Sequence, residues 1–184
     1  RAARKGKRDQ KEVVEFEMDL AWNLQKLRGE LMSGRYRPKP YKQFRIYDPK
    51  ERMIHALQYR DRIVQHTLCD NVIQPYMERH LIYDNVASRI GKGTHFAMDR
   101  LDSFLHKYYQ KYGTEGYFLK FDIRKYYDSI DHGILKKLLR KAFAEDKKVI
   151  DLLNVFIDSY SLTDEKGLPL GNQSSQWFAL YYLD

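Results

Sequence analysis

One carboxylate stands out by its surroundings. Asp122 lies near the end of the run Tyr117, Phe118, Leu119, Lys120, Phe121, Asp122, Ile123, in which nearly every neighbour is apolar. A carboxylate there is costly to desolvate unless it is paired or binds a metal, so Asp122 is expected at the edge of a cleft. Three roles are open. It could bind a hard cation such as Mg²⁺ with the backbone carbonyl of Ile123 as a second oxygen ligand, cap the turn after the strand, or form a salt bridge. Asp128 and Asp131 suit holding that turn or capping the next helix better than binding metal. The loop Gly91-Lys92-Gly93-Thr94 could present backbone N–H groups. The six histidines show no metal-ligand spacing, and Cys69 stands alone, so neither a disulfide framework nor a cysteine-based zinc site is available.

Positive charge is the second signal. The 184 residues carry 33 Lys and Arg against 25 Asp and Glu, a formal net charge of +8. The excess gathers in Arg1 to Lys11 and again in Arg35 to Arg52, which suggests a polyanionic partner, nucleic acid before a membrane surface. No apolar run is long enough to span a bilayer, and a reducing, cytoplasmic setting fits the single cysteine.

These groups need elements to hold them. Residues 1–11 read as a mobile basic arm. Phe16, Leu20, Leu24, Leu27 and Leu31 recur at helical spacing, predicting one helix from Glu12 to about Met32 with Gly34 as its stop. Pro38 and Pro40 lead into two short strands, Phe44 to Tyr47 and Arg52 to Leu57. They are joined by the turn Asp48-Pro49-Lys50 into a hairpin with a basic face. Asp61 is expected to cap a helix with inner face Val64, Leu68, Val72 and Tyr76, kinked near Pro75, and Thr94 to cap a helix ending at Gly113. The doubly apolar run at 117–123 predicts a central strand. Helices follow over Ile134 to Phe143 and Val149 to Tyr160, then a turn-rich stretch and a last helix opened by Ser174 or Ser175.

Four segments, in order, carry a resemblance. FRIYDPKERMIHALQYRDRIVQHTL from Phe44, IYDNVASRIGKGTHFAMDRL from Ile82, FLKFDIRKYYDSIDH from Phe118 and GLPLGNQSSQ from Gly167 are similar to successive segments of reverse transcriptases of the group II intron, retron and diversity-generating retroelement type. The resemblance implies an α+β chain of reverse transcriptase fingers and partial palm. That chain would be mainly helical with a fingers β-hairpin and a palm strand, divided into a basic arm at 1–11, fingers at 12–115 and partial palm at 116–184, with 161–184 returning to pack near the fingers. It gives Asp122 the catalytic, metal-binding role, with Ile123 beside it, and Tyr127 the place beneath the sugar of the incoming nucleotide, where a ring admits deoxyribose and collides with a 2′-hydroxyl. Lys50, Arg52 and Arg45 become triphosphate contacts. Leu170 and Gly171 become nucleotide and template contacts, the glycine allowing close backbone approach. Arg89 and Lys92 would meet template phosphates, and Asn85 and Ser88 its sugars. The commoner pattern has glutamine at Leu170 and proline at Gln176. The departures resemble the diversity-generating class and suggest relaxed fidelity.

The implied reaction is attack of a primer 3′-hydroxyl on a deoxynucleoside triphosphate, with an RNA template, a DNA or RNA primer and Mg²⁺ or Mn²⁺. The family's paired-aspartate motif does not occur before Asp184, so a polypeptide of these residues alone is expected not to polymerise. An uncovered palm edge is expected to favour dimers. Two other classes compete: a non-catalytic RNA-binding scaffold, and a metal nuclease using Asp122, Asp128 and Asp131.

Overall fold

The computed structural model describes residues 2–47 and 49–184. Arg1 of the basic arm and Asp48 of the expected hairpin turn lie outside these. The chain is mainly helical with one two-stranded antiparallel sheet, an α+β composition.

The amino end is not a free arm. Ala2–Arg4 form a 3₁₀ turn, and Ala3 is buried with Val13 and Tyr59. Arg4 Nη1 donates to Glu17 Oε2 at 2.6 Å, and Tyr59 Oη donates to Glu17 Oε1 at 2.8 Å. The single helix expected from Glu12 is two: α1 (Lys11–Met18) and α2 (Leu20–Met32), broken where Asp19 takes φ −118° and ψ 45°. Asn23 Nδ2 closes the break by donating to the freed Phe16 carbonyl at 3.0 Å. The apolar period survives such a break because α2 follows directly, so periodicity alone could not show it.

Strands β1 (Lys42–Ile46) and β2 (Arg52–Ala56) pair with Phe44 opposite Ile54 and Arg45 opposite Met53. The hairpin is held at its base. Glu12 Oε2 accepts from Lys42 Nζ at 2.6 Å, and Glu12 Oε1 from Arg62 Nη2 at 3.0 Å. Asp61 does not cap α3 (Tyr59–Leu68), whose N-cap is Gln58. Fully buried, its carboxylate accepts from Tyr36 Oη and from the Lys39 amide, each at 2.9 Å, with Arg60 at 3.5 Å. Burial pushes that carboxyl up, against the pull of Lys39, Tyr36 and Arg60. It ties the approach to β1 onto α3, a role that needs tertiary contact and has no local sequence signature.

After α3 the backbone widens into a π-turn at Cys69–Ile73 before α4 (Gln74–His80). Pro75 follows directly on the π-turn, on a helical path that stays in the α region through Ile73 and Gln74. Helix α9 (Gln173–Leu183) is apolar around most of its circumference and is central, packing against α3, the π-turn, α4 and α7 (His132–Ala142). Phe178, Ile73, Met77, Leu135, Leu139, Leu153 and Ile157 are fully buried there. Each contributes about 1.5–3 kcal/mol of transfer free energy.

Helices α7 and α8 (Lys147–Asp158) begin on caps that follow local rules. Asp131 Oδ1 accepts from Ile134 N, and Asp146 Oδ1 from Val149 N, both at 3.0 Å. Asp131 thus takes the capping role expected of it. Helix α9 starts at Gln173 behind Asn172, ahead of the two serines expected to open it.

The expected strand at 117–123 is not formed. Residues 115–123 are unpaired, and Phe121 is 80% exposed. A strand is defined by its ladder partners, and among the described residues none lies alongside. The preceding α5 (Thr94–Tyr112) likewise buries none of its residues. It begins at Thr94 behind Gly93, so Thr94 is its first residue and not its cap, and it ends as expected at Gly113 with φ +71°.

Candidate nucleotide and template site

The turn-rich segment before α9 folds back on the residues after Asp122. The Gly167 amide donates to the Ile130 carbonyl and the Leu168 amide to the Tyr127 carbonyl, each at 2.9 Å. The His132 amide donates to the Glu165 carbonyl at 2.9 Å, and its buried ring Nε2 donates to the Gly167 carbonyl at 2.7 Å. That geometry sets the ring's tautomer, so His132 is a staple. The four-residue helix α6 (Tyr126–Ser129) enters through Lys125 at φ +50°. Tyr127 is half-buried against the main core, and burial raises its phenol.

The same segment then meets the hairpin. The Leu170 carbonyl accepts from the His55 amide at 3.2 Å, extending the β2 edge by one bond. Gly171 sits at φ +98°, and a Cβ there would fall 2.9 Å from Ile54 Cγ2. Both features require glycine. Side chains alternate along β2, so Arg52 shares the face of Ile54 that Gly171 touches, and Met53 opposes Arg45 on the other face. The three expected triphosphate contacts are thereby separated. Arg52 lies on the loop-facing side, while Arg45 is on the opposite face, its Nη1 bonded to Glu51 Oε1 at 2.9 Å. Lys50 is exposed near the tip.

Gln65 of α3 fixes the loop from below. Its Nε2 donates to Ser174 Oγ at 2.8 Å, and its Oε1 accepts from the Gln173 amide at 3.3 Å. Gln173 Nε2 donates to Asp70 Oδ1 at 2.8 Å. Sequence reading passed over Gln65, His55 and His132, because each acts through a partner more than 30 residues away. Beside the loop, Tyr160 stacks edge-on to His55, with ring centroids 4.8 Å apart. Burial holds the His55 imidazole below its ordinary value.

Asp122 is not drawn into this assembly. It lies exposed on the unpaired stretch, and its carboxylate has no hydrogen bond or ion pair among the described residues. Ile123 is 40% exposed. No group of three Asp, Glu, His or Cys side chains among the described residues could hold a cation. Asp122, Asp128 and Asp131 therefore do not among themselves form the donor set that Mg²⁺ or Mn²⁺ needs.

Segment 82–92 holds itself together through its two cations. Arg89 is buried, with Nε donating to Glu78 Oε2 at 2.9 Å. Its Nη1 donates to the Ile82 and Asn85 carbonyls at 2.9 and 3.1 Å, and its Nη2 to the Glu78 carbonyl at 3.2 Å. A guanidinium committed inward in this way holds the loop. Lys92 donates to the Tyr83 carbonyl and lies 4.3 Å from the Tyr83 ring centroid. Ser88 is exposed at φ +55°, and Asn85 is half-buried.

No family model matches the chain. Over 130 residues, 68% of this chain, it is 29% identical to Protein YkfC of Escherichia coli (strain K12), covering 33% of that protein. Over 146 residues, 78% of this chain, it is 28% identical to the Putative COX1/OXI3 intron 1 protein of Saccharomyces cerevisiae (strain ATCC 204508 / S288c), covering 16% of it. The chain thus spans about a third and about a sixth of these two relatives. No helix among the described residues is long and apolar enough to cross a membrane.

Proposed function

We propose that the chain supplies the nucleotide and template side of an RNA-directed DNA polymerase of retroelement type. One observation carries the reading: three motif segments far apart in sequence are joined by backbone bonds. The Tyr127–Ile130 stretch binds the Gly167–Leu168 stretch, and the Leu170–Gly171 stretch binds β2. The similarity to a putative intron 1 protein supports the same direction. In this reading Arg52 and Lys50 hold triphosphate oxygens, the Tyr127 ring screens the sugar, and Gly171 lets backbone approach the nascent base pair.

The test is extension of a labelled primer on an RNA template with Mg²⁺ and deoxynucleoside triphosphates, run with the gene product that carries this chain and with the 184-residue chain itself. The gene product is expected to extend the primer, and Asp122→Asn to lower extension by roughly 10²-fold or more. The 184-residue chain is expected to be inactive. A second reading, a non-catalytic RNA-binding scaffold, is favoured by the isolation of Asp122 from other acids among the described residues. Full biological activity of the Asp122→Asn gene product would select it.

A further inference from the structure

An apolar groove of about 740 Å³ opens on the side of the molecule formed by α2, α3, the π-turn and α8. Its floor is made by Leu27, Leu31, Val64, Leu68, Leu152 and Val155. At its lip, Leu24 and Met32 are 40% and 64% exposed although nothing polar covers them. Such a concave apolar surface is unfavourable in water, and a patch of this kind marks an interaction site more often than a gap in packing.

The charges around it are one-sided. Arg28, Arg37 and Lys148 border the groove against one acid, Asp151. All four are exposed, and none makes an ion pair among the described residues. Arg37 is held at the rim because its Nη1 donates to the Tyr36 carbonyl at 2.7 Å. An apolar floor between helices, with a cationic border, matches the apolar stripe of an amphipathic helix flanked by carboxylates. RNA fits worse, because phosphates have no use for a dry aliphatic floor.

We propose that this groove is a docking site for an acidic amphipathic helix of a protein partner. The site is separate from the hairpin and the Gly171 loop, and the inference does not depend on the polymerase reading.

The probe is a fluorescein-labelled amphipathic peptide of about four turns. It carries Leu and Ile at i, i+3, i+4 and i+7 with glutamates on its flanks. Its binding to the 184-residue chain is read by anisotropy beside a lysine-flanked counterpart and a scrambled acidic peptide of equal composition. The acidic helix is expected to bind about tenfold tighter than either. The double variant Leu24→Glu, Met32→Glu alters only side chains already part-exposed and should lower its affinity about tenfold with an unchanged far-UV circular dichroism spectrum. Arg28→Glu with Lys148→Glu should transfer the preference to the lysine-flanked peptide. Equal binding of the scrambled peptide would overturn the proposal. So would indifference to the lip variant, or a short single-stranded RNA that competes for the groove and is weakened by the same lip variant.

Discussion

Arg89 shows how much a residue's type leaves out. In sequence it is a cation in a basic, glycine-containing loop; in the fold its donors bind Glu78 and three carbonyls. Arg89→Ala would leave those acceptors and a partly buried carboxylate without their partner, at a cost of about 2–4 kcal/mol in urea unfolding. If the chain binds RNA, the effect of this substitution on affinity should follow that loss of folding and not the single-phosphate salt dependence expected of a surface lysine. At Gly171 the close approach that the structure shows is to Ile54, where the sequence reading expected a base pair. Gly171→Ala meets both the φ of +98° and Ile54 Cγ2, so it should destabilise by about 1–3 kcal/mol. Adding Ile54→Ala should not restore stability, since it removes the clash but leaves the backbone strain. At Leu170, whose carbonyl binds His55, substitution by Gln keeps the backbone bond and adds an amide. If the gene product polymerises, Leu170→Gln should lower misincorporation several-fold. An unchanged error rate would remove any link between this residue and fidelity.

Elements report on how they are held. Burial pulls the Glu12 carboxyl up, but the bonds and charges of Lys42, Tyr59 and Arg62 outweigh it, so the carboxyl lies below its ordinary value of 4.5. The folded chain therefore binds that proton less tightly than the unfolded chain does. The stability Glu12 lends to the hairpin base is complete above that ordinary value and is lost as pH falls through the lower, folded one. Glu12→Gln should flatten the fall in stability measured by urea unfolding between about pH 6 and pH 3, and an unaltered profile would show that the contact contributes nothing. This link was not readable in advance, because Glu12 and Lys42 are 30 residues apart. Helices α5, α7 and α8 were readable, as their period, their glycine stop and their aspartate caps are all local. The break at Asp19 and the tertiary role of Asp61 were not, since neither leaves a mark in apolar spacing.

Across the whole molecule, apolar surface is divided unequally. The α3, α7, α8 and α9 assembly encloses a continuous core, whereas α5 and residues 115–123 lie outside it with Tyr117, Phe118, Leu119 and Phe121 exposed. A run apolar on both faces made 117–123 read as a strand, and its chemistry still suits one; what a single segment cannot encode is the neighbour that completes a ladder. An unpaired stretch of this composition should self-associate. Sedimentation velocity at rising protein concentration should show oligomers that Phe118→Lys with Phe121→Lys removes. If the variant associates as strongly as the parent, the contact lies elsewhere.

The π-turn at Cys69–Ile73 gives the chain slack in this region. Its wider turn takes up one extra residue, so that Ile73 and Met77 still face α9. Deleting one exposed residue of the five, such as Asn71, would rewind the turn as ordinary α-helix and leave Met77 near its present orientation, whereas deleting a residue from the regular part of α3 would rotate Met77 by about 100° around the axis, out of the core. A deletion scan read by circular dichroism should therefore find the turn more tolerant than the helix before it. The turn works like a spare stitch, one that can be dropped without unravelling the row.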